Sequence, residues 1–179
     1  GTRAMFSEAL AVLLAGLTHE RLTFKGQYYR YDDVPMELRP MQQPYPPLWY
    51  PTHNPESVGH AAQHGYHFVS GGPAAGVRPL MDQYRQTWEA HRHAPGRLNG
   101  HVAAPKMGIV RLVCVADTDD EAWAATHAAH GDWYRSIMKL WHEYDDHTYD
   151  EFFAWEPSLR GETILFGSPT RVCEQMAEL

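Results

Sequence analysis

Residues 46–69 read PPLWYPTHNPESVGHAAQHGYHFV, and the order of residue types in this stretch decides the fold class. A short apolar run, Leu48-Trp49-Tyr50, stops at Pro51. Asn54 then stands before Pro55, a favoured helix cap followed by a favoured first helical residue. The small-residue pattern from Pro55 to His64 reads as a helix, and Tyr66–Val69 reads as a second short strand. Strand, helix and strand within two dozen residues is the signature of a βαβ unit with parallel strands.

The same alternation continues outward. "SGGPAAG" (70–76) reads as a glycine-rich loop and Val77–His93 as a helix with Leu80, Met81, Tyr84 and Trp88 on one face. Met107–Ala116, "MGIVRLVCVA", reads as one long strand whose near-continuous apolar character predicts burial on both faces. Asp117-Thr118-Asp119 caps a helix expected to run to about Ala129. Near the end, "ILFGSPTRVCEQMAEL" gives an apolar run, Ser168-Pro169 as a helix start, and a helix. Before the opening stretch, "AMFSEALAVLLAGL" (4–17) predicts a mostly buried helix. Leu22–Phe24 against Gln27–Tyr31 predicts a β-hairpin turning at Lys25-Gly26, and "RPMQQPYPP" an extended linker. A barrel and a doubly wound sheet both fit this α/β pattern.

Composition excludes several classes. The chain has 179 residues, 44% hydrophobic and 21% charged, ordinary for a globular domain. A formal net charge of -7 argues against a nucleic-acid surface. No apolar run reaches a membrane span, and no signal-peptide pattern stands at the N-terminus. Cys114 and Cys173 lie far apart in no metal or redox spacing and suit a reducing compartment, so the cytoplasm is the expected location. The chain starts and stops inside helical patterns, which predicts one domain over 1–179 cut from a longer barrel.

Four features are site candidates. The strand-to-helix junction supplies Asn54, Ser57 and free first-turn N–H groups, the ingredients of an anion site; an ordinary capped helix is the competing reading. The 70–76 loop permits close backbone approach or simply makes a turn. Twelve histidines invite a metal reading, through His64 with His67, His91 with His93, or His142 and His147. None joins a carboxylate in a recognisable metalloenzyme spacing, so no metal site is expected. Trp133 to Trp155, aromatic and acidic, reads equally as a lid or as packed helices with a solvated face.

Taken together and in order, several segments resemble the luciferase-like flavin-dependent monooxygenases, the group of bacterial luciferase and the alkanesulfonate monooxygenases. They are Phe24-Lys25-Gly26-Gln27-Tyr28-Tyr29 with the proline-rich approach to Leu48–Tyr50, then "NPESVGHAAQHGYHFV", "RLVCVADTDDEAWAAT" and "GSPTRVCEQM". The resemblance implies a partial (β/α)8 TIM barrel lacking the first strands and the last, with a β-hairpin insertion and a long aromatic lid-like insertion. It implies reduced FMN, or a deazaflavin as in a sister branch, and a monooxygenase using O2 to oxygenate a small organic substrate. A flavin reductase as supplier and a homo-oligomeric full-length protein are implied too. His53, Asn54 and Ser57 fall where the family's flavin phosphate is held, while Tyr50, Ser70 and Gly71 fall at the same mouth; His53 and Tyr50 depart from the family pattern. Catalytic residues are not assigned. The rival readings are a TIM-barrel enzyme binding a phosphorylated metabolite without flavin, and an inactive structural fragment.

Overall fold

The computed structural model describes all residues except Gly161, and all side chains except those of Gly161 and Arg160. The chain forms two compact units, 1–48 with 101–103, and 49–100 with 104–179.

In the first unit, α1 spans Thr2–Thr18. Its apolar face is far less covered than its sequence predicts: Gly16 alone is buried, and Phe6 and Leu13 are 55% and 53% exposed. A dense run of leucine and alanine secures helix formation, yet burial requires a partner surface that its own unit does not bring to this face. The hairpin is β1 (Arg21–Lys25) antiparallel to β2 (Arg30–Pro35), with Phe24 opposite Tyr31 and Lys25 opposite Arg30. The turn therefore comes at Gly26–Tyr29, later than the sequence predicts. Its cause is long-range: the Glu8 carboxylate accepts from the N–H groups of Gln27 (3.0 Å), Tyr28 (2.9 Å) and Tyr29 (2.7 Å). A Cβ on Gly26 would collide with that carboxylate, which is why glycine stands there.

The second unit begins with β3 (Trp49–Pro51), followed by α2 (Pro55–His64), β4 (His67–Ser70), α3 (Ala74–His91) and β5 (Met107–Ile109). The strands form a parallel sheet in the order β3-β4-β5. Asn54 caps α2 and Gly65 closes it in the left-handed region (φ 72°), so the sequence reading of this helix holds at both ends. Ala61, Ala62, Val58 and Phe68 are fully buried, and Phe68 stacks on Tyr84 of α3 at 5.4 Å. Small residues on α2 let it sit close to the sheet and α3, concentrating the core here. The glycine-rich loop is shorter than expected, because α3 starts at Ala74 on Pro73 rather than at Val77.

The expected strand Met107–Ala116 is two strands. Val110 N–H bonds the Ser70 carbonyl (2.9 Å), while Leu112 N–H bonds the Thr163 carbonyl (3.0 Å). The chain thus changes partner at Arg111, and β6 (Leu112–Val115) pairs in parallel with β7 (Ile164–Gly167) as a second sheet. The predicted two-sided burial fails as well. Leu112, Val113 and Val115 are 43%, 46% and 53% exposed, since β6 pairs with one strand only.

Between β6 and β7 run α4 (Asp119–Glu143), α5 (Asp150–Phe153) and α6 (Trp155–Arg160); α7 (Pro169–Ala177) follows β7. Thr118 and Glu121 form a reciprocal capping box at the start of α4. The helix outruns its expected end at Ala129 by more than three turns, because Gly131 is carried in the helix rather than stopping it. The aromatic stretch 131–160 is therefore mainly helical. Ser168 occupies the N-cap of α7 without a side-chain bond, and its N–H instead donates to Asp119 Oδ1 (2.7 Å). The two parallel sheets do not close on each other, so the fold is an open, partial barrel of alternating strands and helices. No helix among the described residues is long and apolar enough to cross a membrane.

Candidate functional site

In open parallel sheets, ligands bind beyond the carboxyl ends of the strands. Here three adjacent strands end at Pro51, Ser70 and Ile109. The residues that follow, Thr52-His53-Asn54, Gly71-Gly72 and Val110-Arg111, therefore share one edge of the sheet.

Asn54 is fully engaged on its acceptor side. Its Oδ1 accepts from the N–H of Glu56 (2.8 Å) and Ser57 (3.4 Å), and its own N–H donates to Thr52 Oγ1 (3.1 Å). Pro55 has no N–H, and the Val58 N–H goes to the Asn54 carbonyl (3.0 Å). The first-turn N–H groups are thus not free, as the sequence reading assumed, but held by the cap. What remains outward is the helix dipole, the Asn54 amide, the exposed His53 and the half-buried Ser57 hydroxyl. To bind here, an anion would have to meet these groups or displace the Asn54 oxygen.

Ser70 is buried and its hydroxyl donates weakly to the Gly71 carbonyl (3.3 Å). Gly71 is exposed, and Gly72 takes φ 99°, a backbone region where L side chains are rare. A Cβ on Gly72 would lie 3.8 Å from the ring of Phe152 in α5, so the aromatic insertion reaches this strand end. Tyr50 packs rather than facing the edge with its ring: it stacks on Tyr66 (5.7 Å, 7°) and meets His60 edge-on.

Arg111 is the residue that sequence reasoning passed over. Its Nη1 donates to the carbonyls of Gly72 (3.1 Å) and Val110 (2.8 Å). Its Nε and Nη2 are buried and have no partner. Burial pushes the guanidinium below its ordinary value, and Glu162 pulls the other way. A half-buried cation with two buried, unspent donors is costly unless something anionic or carbonyl-bearing meets them. The available signal was a lone arginine inside the apolar run 107–116.

The other histidines divide. His67 is buried, accepts from the Lys106 N–H at Nδ1 (3.0 Å) and packs on Trp49. His91 bonds the Thr87 carbonyl in its own helix (2.9 Å). His142 and His147 converge on Asp150, with 2.6 Å and 2.8 Å contacts. His130 is buried among Trp133, Tyr134 and Trp155, and burial lowers its pKa. With Leu112, Cys114, Thr126 and Ile164 it lines a pocket of about 320 Å³ between α4 and the β6–β7 sheet.

Comparison with known proteins gives a consistent answer. The luciferase-like monooxygenase family model matches residues 1–179. An uncharacterized protein, y4wF of Sinorhizobium fredii, is 30% identical over 76% of this chain and 38% of its own length. The FMNH2-dependent dimethylsulfone monooxygenase of Pseudomonas putida is 28% identical over 66% of this chain and 30% of its own length. Three solved structures share the fold. Monooxygenase RslO1 from Streptomyces bottropensis has TM-score 0.71 and 19% identity, over 98% of this chain and 50% of that one. The FMN complex of the oxygenating constituent of 3,6-diketocamphane monooxygenase from Pseudomonas putida has TM-score 0.61 and 18% identity, over 98% and 52%. The coenzyme F420-dependent tetrahydromethanopterin reductase of Methanopyrus kandleri has TM-score 0.59 and 11% identity, over 97% and 53%. The chain spans about half the length of these structures, and its matched stretches span less of the two curated relatives. With the open βα architecture and the family match along its whole length, the chain belongs to the luciferase-like monooxygenase family.

Proposed function

We propose that this chain contributes the strand-end edge of β3, β4 and β5 to the flavin site of an FMN-dependent monooxygenase that oxygenates a small organic substrate with O2. The observation that carries the reading is Arg111, whose buried Nε and Nη2 face no partner at the edge where the α2 start also lies. Bound reduced flavin supplies the electrons for oxygen activation. The residues of this chain bind and orient. His53, the Asn54 amide and the Ser57 hydroxyl hold the phosphate at the α2 N-terminus, supported by the helix dipole. Ser70 and Gly71 line the mouth, and Gly71 leaves room for close approach. Arg111 meets an anionic or carbonyl group of the cofactor or substrate, its position set by the Gly72 and Val110 carbonyls. Phe152 and its aromatic neighbours exclude water from this edge. Tyr50 supports α2 by packing.

The reading draws on the FMNH2-dependent relative and on the FMN-bound neighbour of the same fold. The F420-dependent neighbour makes a deazaflavin the second reading. A separate flavin reductase delivers the reduced cofactor. The test is a titration of the protein with FMN, riboflavin, coenzyme F420 and inorganic phosphate, followed by flavin fluorescence and calorimetry. FMN binding more tightly than riboflavin is the expected result. Arg111→Met removes charge-assisted bonds of roughly 1.5–3 kcal/mol and weakens binding tenfold or more. Tighter F420 than FMN binding selects the second reading. Phosphate binding without any flavin binding overturns both and leaves a phosphorylated-metabolite site.

A further inference from the structure

The C-terminal end of α4 and the start of α5 carry a cluster with no part in the flavin edge. His142 lies in the last turn of α4, His147 in the connecting loop, and Asp150 is the first residue of α5. The loop is folded back by its own backbone bonds. Asp146 N–H reaches the Trp141 carbonyl (2.9 Å), Asp150 N–H reaches the His147 carbonyl (3.2 Å), and Trp141 packs edge-on to Tyr149 at 4.8 Å. The result is that His142 Nε2 lies 2.6 Å from Asp150 Oδ1, and His147 Nδ1 lies 2.8 Å from Asp150 Oδ2. The donor atoms of all three lie within 4.8 Å of one another.

We propose that His142, His147 and Asp150 form a divalent transition-metal site, of the kind zinc occupies, that ties α4 to α5. Two imidazole nitrogens and one carboxylate oxygen are a common three-ligand set for zinc, leaving a fourth position to water on the exposed side. Without metal, each imidazole must donate to Asp150, because an ionised carboxylate only accepts. On metal binding the ion takes the place of those two hydrogens, which move to the outer nitrogens of the neutral rings. Tetrahedral coordination at zinc bond lengths separates ligand atoms by roughly 3.3 Å. The present 2.6 and 2.8 Å contacts need to open by about 0.7 and 0.5 Å, and the two imidazole nitrogens already lie within 4.8 Å of each other, so a side-chain rotation at this partly exposed site completes the set.

The surrounding groups suit that exchange. His147 Nε2 already lies 3.4 Å from Asp145 Oδ1, so its relocated proton points at a carboxylate. A carboxylate behind a ligating histidine fixes its tautomer and raises its basicity. Tyr134 of α4 lies close enough to Asp150 to interact with its carboxylate. The sequence spacing, His-x4-His-x2-Asp, conceals the site because the ligands meet only through the folded-back loop.

The test uses the chain stripped with a chelator and titrated with Zn2+ against a chromogenic competitor. One equivalent is expected to bind, with His142→Ala, His147→Ala and Asp150→Asn each weakening it tenfold or more, while a His91→Ala/His93→Ala control matches the parent. Should a variant not fold, zinc-edge X-ray absorption of the parent chain decides: two imidazoles with oxygen ligands support the site. Sulfur ligation by Cys114 or Cys173, a single imidazole, no stoichiometric binding, or variants that bind like the parent each overturn it.

Discussion

Asn54→Asp separates the two roles that the α2 start combines. An aspartate keeps an oxygen acceptor for the N–H groups of Glu56 and Ser57, now at 2.8 and 3.4 Å from Asn54 Oδ1. It also puts a negative charge at the positive end of the helix dipole, worth about 0.3–1 kcal/mol in favour of folding. The melting temperature therefore holds or rises, whereas Asn54→Ala loses the cap and about 1 kcal/mol. Phosphate binding responds oppositely. A phosphate monoester carries about -1.5 to -2 charge near neutrality. At roughly 5 Å from the new carboxylate, the repulsion is about 1.2–1.7 kcal/mol at the dielectric of water, and larger at a shielded edge. That corresponds to FMN affinity falling roughly eight- to eighteenfold. The assay is fluorescence titration with FMN and riboflavin at low salt, beside thermal melts of the same samples. Riboflavin, lacking phosphate, is expected to bind as before. An FMN affinity that moves less than threefold with the melt unchanged refutes phosphate binding at α2. Equal losses for both ligands refute it too.

Two further outcomes follow from packing and protonation. Phe68 is fully buried and stacked on Tyr84, so Phe68→Ala costs about 3–5 kcal/mol, measured by chemical denaturation; a loss under about 1 kcal/mol would mean the β4–α3 contact is not the core. His130 and His64 are both held below their ordinary value of 6.5, chiefly by burial, so the unfolded chain takes up these protons first. Their contribution is complete above pH 6.5 and is lost as pH falls through the depressed folded values, so melts from pH 8 to 5 decline on the acid side. His130→Phe reduces that decline, and an unchanged acid slope would contradict the burial argument.

The parts legible in the sequence are those governed by neighbours along the chain. Asn54 and Pro55 set the start of α2 because a cap oxygen and a proline ring act within one turn, and Gly65 sets its end because only glycine takes that backbone angle cheaply. The order of strands and helices, and with it the family resemblance, came from such local signals. The lengths and partners of the apolar runs did not. Residues 107–116 look like one strand, yet Ser70 and Thr163 capture successive N–H groups on either side of Arg111 and divide it. The hairpin turn moves because Glu8, far back in α1, binds three of its N–H groups.

The candidate site divides the same way. Asn54 and Ser57 were visible as a helix start, but that the cap consumes the N–H groups emerges only from side-chain geometry. Arg111 gains meaning from the Gly72 carbonyl, 39 residues earlier, and from burial that leaves two donors unspent. His142, His147 and Asp150 become one cluster only when the loop after α4 folds back. By itself the sequence determined the alternating order of strands and helices and both ends of α2, since those preferences act over a few residues. The tertiary structure decided which strands pair, which apolar faces stay open and which polar groups meet, because hydrogen-bond satisfaction and burial depend on residues distant in the chain.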